Sequence, residues 1–337
     1  MNSNNKIITS DINNSKNIKN ISENFDDQNS KQYNLYNFFK KNAIKSDIFL
    51  DCLQDPVFSI VLQKSLMGAK AEYIHDLLLT LKGNFRSLIN DKNGNYFCSD
   101  LFMVCEQKQR IQILKEISPY LSKDCTSNFS THPIQVLIEK ASSDEEYKLI
   151  LNSFKDYEQF LYVALSPNGA YTLQKIIECI PEEYRKEFNF YIINYIGFIS
   201  KKKFGIVVVK KFISNTNDQN ITYSILNSVK KKFVDFSSDQ YANYLIQFLL
   251  DKWRDTKEGN EIKELVKKNF LMMSEKKYSS FICEKFITII TPEEKRDLIK
   301  QINVEAINKS INPHFIKIMK ALGIYKSQDS NNHSNDN

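Results

Sequence analysis

One eight-residue phrase, written eight times along the chain, restricts its possible folds more than any other feature. The phrase begins at Ser59, Asn95, Thr131, Ala170, Ile206, Asn243, Ser280 and Pro313, at steps of 36, 36, 39, 36, 37, 37 and 33 residues. Self-similarity at such a period marks a stacked array in which each unit packs only against its neighbours. The 337 residues, enough for two ordinary domains, are therefore read as one array. With 8 Gly and 7 Pro against 23 Phe and 17 Tyr, there are few turns for a sheet-rich fold and ample apolar bulk for a core. An all-α solenoid is the expected class.

Helix geometry divides the phrase into two faces. If each residue turns the helix by about 100°, positions 2, 3, 6 and 7 of the phrase share one side and positions 0, 1 and 4 the other. The first set is apolar almost throughout, for example Phe97, Cys98, Leu101 and Phe102, or Leu245, Ile246, Leu249 and Leu250. That set is the expected buried stripe. A small residue precedes the phrase at Gly94, Ser130, Gly169, Gly205, Ala242 and Ser279, and three residues earlier stands a capping type, at Asp55, Asp91, Ser127, Ser166 and Asp239. Between phrases lie further helical stretches, with Pro181 and Pro292 at first turns followed by acids. Each unit is then a loop plus two or three helices.

The ends of the chain read differently. Residues 1–30 are rich in Asn, Ser, Asp and Lys without a sustained period and are expected to be disordered, as is the 326–337 tail. From Tyr33 the segment YNLYNFFKKNAI has a helical apolar pattern without the phrase and reads as an N-terminal cap on the 31–325 array. The polar tail follows the last phrase closely, so the eighth unit is expected to be truncated.

Charge and cysteine usage narrow the function classes. The net charge of +6 is uneven, with Lys201 to Lys203, Lys210-Lys211, Lys230 to Lys232, Lys267-Lys268 and Lys276-Lys277 in the second half. Such runs suit a polyanion and equally suit a solvated helix surface. Six cysteines at irregular spacing form no CxxC pair, which favours reduced structural thiols. No apolar run approaches a membrane span, and an intracellular protein is expected. His75 and His333 lack carboxylate or thiol company, and no Gly-rich phosphate loop occurs. The Glu145-Glu146 and Glu182-Glu183 pairs read as solvent-facing helix starts. No enzymatic activity, cofactor or metal is expected.

The second face carries the chemistry. Its positions 0, 1 and 4 read Ser59-Ile60-Gln63, Asn95-Tyr96-Ser99, Thr131-His132-Gln135, Ala170-Tyr171-Gln174, Ile206-Val207-Lys210, Asn243-Tyr244-Gln247, Ser280-Phe281-Glu284 and Pro313-His314-Lys317. A small polar group, a flat ring and an amide or acid recur. Positions 0 and 4 lie one turn apart, so two hydrogen-bonding side chains can approach one base edge while the ring stacks on its face. A ring recurs at that phase in Tyr96, His132, Tyr171, Tyr244 and Phe281, opposite an apolar stripe, which favours binding over packing.

At these residues the chain resembles the Pumilio (PUF) RNA-binding repeats, over 47–325. The nearest phrases are DQYANYLIQ at 239–247, KKYSSFICEK at 276–285 and SPNGAYTLQK at 166–175. The resemblance implies a right-handed, armadillo-like crescent of about eight repeats, whose inner helices each read one base of an RNA running antiparallel to the chain. It implies uracil for Asn243 with Gln247, guanine for Ser280 with Glu284, and adenine for Ser59 with Gln63 and, as a looser match, Thr131 with Gln135. An ionised Glu284 only accepts, which fits the N1 and N2 donors of guanine, while an Asn/Gln pair suits the mixed edge of uracil. Ala170 offers no side-chain hydrogen bond, so the fourth unit is expected to discriminate loosely through Tyr171 and Gln174. Ser99 leaves the second unit's base open. The fifth unit lacks ring and amide, and Lys210 is assigned to a phosphate. Pro313, His314 and Lys317 depart from a uracil reader.

The expected function is sequence-selective binding of single-stranded messenger RNA at a short G-U-core element in untranslated regions. By resemblance, a cytoplasmic monomer would recruit repression or deadenylation factors on its outer surface and control translation or stability. The alternatives are a nucleolar ribosome-assembly relative that grips RNA mainly by charge, and an armadillo-type protein scaffold.

Overall fold

The computed structural model describes residues 49–50, 53–302 and 310–325. The expected disordered segment, the N-terminal cap and the 326–337 tail lie outside them. Among the described residues every regular element is a helix. We label the eight that carry the phrase α1 (Pro56–Leu66), α2 (Gly94–Val104), α3 (Thr131–Lys140), α4 (Pro167–Cys179), α5 (Gly205–Ser214), α6 (Asn243–Lys252), α7 (Ser279–Ile289) and α8 (Pro313–Leu322).

These helices fall in two compact units divided after Phe188. In the first, α1 to α4 pack side by side in sequence order, and helices Gln107–Ile117 and Asp144–Asn152 pack together as a second row. In the other, α5 to α8 pack in order, and Gln219–Lys231 packs on Lys257–Ser274. From α2 to α7 except α3, each phrase helix also packs on the helix just before it in the chain. The expected stripe is the core: Phe97, Cys98, Leu101, Phe102, Ile134, Leu137, Leu173, Ile176, Val208, Phe212, Leu245, Leu249, Ile282 and Phe286 are all buried. Each large apolar side chain so removed from water contributes roughly 1.5–3 kcal/mol. Val61, Ile287 and Ile316 of the stripe are half-buried.

The small residue before the phrase has a steric cause. A Cβ on Gly94, Gly169 or Gly205 would lie 2.9, 2.4 or 2.3 Å from the carbonyl oxygen of Leu88, Val163 or Ile199, in each case the residue six positions earlier. Ser130 and Ser279 occupy the same place and donate their hydroxyls to the carbonyls of Asp124 and Met273, again six residues back. One tight corner, between the end of one helix and the start of the next, thus accepts either no side chain or one that satisfies the carbonyl it meets. Four of the five capping residues act as read: Asp91 Oδ1 accepts from Gly94 N, Ser166 Oγ from Gly169 N, Asp239 Oδ1 from Ala242 N and Asp55 Oδ1 from Phe58 N, at 2.8–2.9 Å, while Ser127 Oγ accepts from Phe129 N at 3.3 Å.

Glu146 corrects the sequence reading. It is fully buried, accepting from Arg110 Nε at 2.8 Å, Ser142 N at 3.0 Å and Ser143 Oγ at 2.8 Å, while Arg110 Nη1 donates to the Cys105 carbonyl. Helical period alone put it with exposed Glu145, but it joins the second-row helices. Among the described thiols, burial pushes those of Cys105 and Cys125 up to about 12 and raises those of Cys98 and Cys283. No described helix is long and apolar enough to cross a membrane.

Candidate nucleic-acid interface

Position 1 of the phrase stands open. Ile60, Tyr96, Tyr171, Val207, Tyr244 and Phe281 are exposed, Tyr171 by 63%, and so is His132. His132 lies near enough to Asp100 to act on it: burial raises that carboxyl above its ordinary range, and the imidazole partly opposes the rise. His314 in α8 is half-buried.

Position 0 is not open in α1 to α7, against the sequence expectation, whereas Pro313 of α8 is exposed. Ser59, Asn95, Ala170, Ile206, Asn243 and Ser280 are all buried, and Thr131 is half-buried. The reason is the neighbouring turn. Ser59 Oγ donates to the carbonyl of Asn93 at 3.2 Å, and Thr131 Oγ1 to that of Asn168 at 3.4 Å, so the start of the next phrase helix lies over this position in α1 and α3. A wheel drawn for one isolated helix cannot register that cover. The open face is thus centred on position 1, with position 4 half-buried at its foot except at buried Ser99 and exposed Lys317.

The glutamines are held in one pose. Gln63 Nε2 donates to Ser59 Oγ at 3.1 Å, Gln135 Nε2 to Thr131 Oγ1 at 3.0 Å and Gln247 Nε2 to Asn243 Oδ1 at 2.8 Å. Gln174 Nε2 donates to the backbone carbonyl of Ala170 at 3.0 Å, so the missing side-chain partner is replaced by main chain and the fourth unit is ordered like the others. Each glutamine keeps its carbonyl oxygen and one N–H outside these bonds. Asn243 spends both amide hydrogens on the carbonyls of Asp239 and Gln240, and Asn95 both on those of Asp91 and Lys92. These asparagines therefore position helix starts and, at Asn243, the glutamine beside it. Ser99 Oγ turns back to the Asn95 carbonyl, and Ser280 Oγ to that of Lys277.

The departing units also acquire definite geometry. In the fifth, Lys210 Nζ lies 5.3 Å from the Phe248 ring centroid, on α6. In the eighth, Lys317 Nζ approaches Glu284 Oε1 of α7 to 2.6 Å. Further ion pairs tie adjacent phrase helices in equal register: Lys175 with Glu139 at 3.2 Å and Lys285 with Asp251 at 2.7 Å. Burial raises the Asp251 carboxyl, but hydrogen bonds from Lys285 and Arg254 outweigh it and hold the group below the ordinary carboxylate range. Sequence reasoning missed these pairs, although the lysine one residue after position 4 and the acid eight residues after position 0 of the preceding phrase were visible. It also missed an asparagine ladder: Asn93, Asn168 and Asn312 donate to the carbonyls of Gln54, Thr126 and Glu275 in the preceding phrase's entry loop.

Comparison with known proteins matches this arrangement. The Pumilio-family RNA binding repeat matches residues 84–118, 159–187, 232–256 and 269–302, segments that contain α2, α4, α6 and α7 whole. Suppressor protein MPT5 of Saccharomyces cerevisiae is 29% identical over 238 residues, 67% of this chain and 27% of that protein. The RNA-binding domain of yeast Puf5p, solved bound to SMX2 RNA, superposes with a TM-score of 0.69 at 22% identity, covering 81% of this chain and 82% of that one. The chain belongs to the Pumilio repeat family.

Other Pumilio proteins agree on the architecture. The Puf4 RNA binding domain, bound to the HO endonuclease RNA 3′ UTR recognition sequence, gives a TM-score of 0.73 at 18% identity over 81% of this chain and 90% of that one. Fem-3 mRNA-binding factor 1 of Caenorhabditis elegans is 22% identical over 258 residues, 66% of this chain and 41% of that protein. The chain thus spans about a quarter to two fifths of the length of these curated relatives. In this Pumilio protein the matched repeats are the second, fourth, sixth and seventh.

Proposed function

We propose that this protein binds single-stranded RNA sequence-selectively, one base per complete repeat, at a short G-U-core element in messenger RNA untranslated regions. The observation that carries the reading is the recurrence of an exposed ring at position 1 beside a half-buried amide or acid at position 4. Packed helices lie about 8–10 Å apart. That spacing leaves room for one base between successive position-1 side chains, because stacked layers take about 3.4 Å each. A base stacked on such a ring meets the glutamine or glutamate edge-on, and stacking contributes about 1–3 kcal/mol per base.

The fixed glutamines sharpen the base assignment. Each presents one acceptor and one donor, which suits the mixed edges of adenine and uracil; Glu284 presents acceptors to the two N–H groups of guanine. We assign guanine to the seventh repeat, uracil to the sixth, and adenine to the first and third. Proteins similar in fold were solved with RNA elements, among them a 3′ UTR recognition sequence. Bound messages would be repressed or destabilised in the cytoplasm by factors recruited to the second-row helices, by a monomeric protein.

Selection of bound RNA from a random pool tests the reading. The wild type is expected to enrich a motif with G next to U, and Glu284→Gln to lose the G preference while still binding. An enriched pool without sequence in common would leave charge as the only grip and sink the proposal.

A further inference from the structure

We propose that Lys317 belongs to the base pocket of the seventh repeat, where it completes the guanine edge by donating to O6, and that the eighth repeat reads no base of its own. The inference rests on the RNA-binding reading above and adds a specificity-determining residue to it. Lys317 occupies position 4 of α8, the place that in other repeats holds the edge-facing group, yet its side chain leans onto α7. Its ammonium lies 2.6 Å from Glu284 Oε1 and 5.9 Å from the centroid of the Phe281 ring, so both contacts are with the seventh repeat's own triplet. Position 0 of the eighth triplet does not hold it, because Pro313 has no side-chain hydrogen-bonding group.

Glu284 Oε1 supports the same assignment. It is buried, with Lys317 Nζ at ion-pair distance, 2.6 Å. A carboxylate has about four acceptor sites, so one ammonium leaves it able to accept from the N–H groups of a base. Guanine presents O6 beside N1–H, an acceptor next to a donor. Lys317 Nζ beside Glu284 Oε1 is a donor next to an acceptor, in the complementary order. The carboxylate takes N1–H and N2–H, and the ammonium takes O6. Adenine would set its amino group against the ammonium, and uracil has only one N–H for the carboxylate, so the pair rejects both more firmly than Glu284 alone.

The full-length protein and the RNA sequence selected by the wild type supply the test. Binding is measured with guanine, inosine or 6-thioguanine at the seventh-repeat position. Inosine removes the N2 donor, and 6-thioguanine keeps both donors but exchanges O6 for a poor acceptor. The wild type should lose on the order of tenfold in affinity with 6-thioguanine. Lys317→Met should bind guanine and 6-thioguanine alike while keeping its preference for guanine over inosine, and Lys317→Arg should restore the discrimination. Lys317 is exposed, so the variants retain the fold. An undiminished preference for guanine over 6-thioguanine in Lys317→Met overturns the assignment. So does tighter binding of every RNA by that variant, which would make Lys317 a cover over the pocket. A wild type that enriches no sequence overturns the RNA-recognition reading and this inference with it.

Discussion

The corner before each phrase helix shows how one position can accept two residue types for a single physical reason. Gly94, Gly169 and Gly205 leave space for a carbonyl oxygen six residues back, and Ser130 and Ser279 bond to the same oxygen. Gly205→Ala should then force the α5 start away from Ile199 and cost about 1–3 kcal/mol, as overpacking does. Ser130→Ala keeps the Cβ already accommodated and should cost about 1 kcal/mol, the worth of one hydrogen bond. Chemical denaturation of both variants checks the order. Equal losses would mean that the corner is not the constraint.

Between elements, the second-row helices are joined by the buried pair Arg110–Glu146. Removing one member of such a pair leaves the other charge buried, so Glu146→Gln should destabilise the protein by about 3–5 kcal/mol. Glu145→Gln, whose ion pair with Lys115 is half-exposed at both ends, should cost under about 1 kcal/mol. Thermal unfolding of the two variants compares them directly, and a Glu146→Gln protein as stable as the wild type contradicts the account. These adjacent acids are indistinguishable in the sequence. The phrase helices were legible because their apolar residues keep one phase; Glu146 was not, because its burial depends on an arginine 36 residues earlier.

Across the full chain, the lysine excess is less available than the net charge of +6 implies. Lys175, Lys201, Lys230 and Lys285 are paired with Glu139, Asp235, Glu261 and Asp251. Lys202, Lys203, Lys276 and Lys277 remain exposed on the loops that lead into α5 and α7. If those four meet phosphates, the logarithm of the RNA affinity should fall against the logarithm of salt with a slope of about −3, near 0.7 per phosphate. Titration at several salt concentrations measures it. A much steeper slope would indicate gripping by charge and argue against recognition by stacking and base edges.

The period of the phrase and the phase of its apolar residues determined the helical repeat class, the buried stripe and the exposed rings, because each follows from the geometry of a single helix. Which polar groups are free was decided by neighbouring repeats. Ser59 at position 0 lies under the next entry loop, and Lys317 crosses to Glu284. Such contacts join residues about 35 positions apart, and their partners are chosen by packing between helices, which no local pattern encodes.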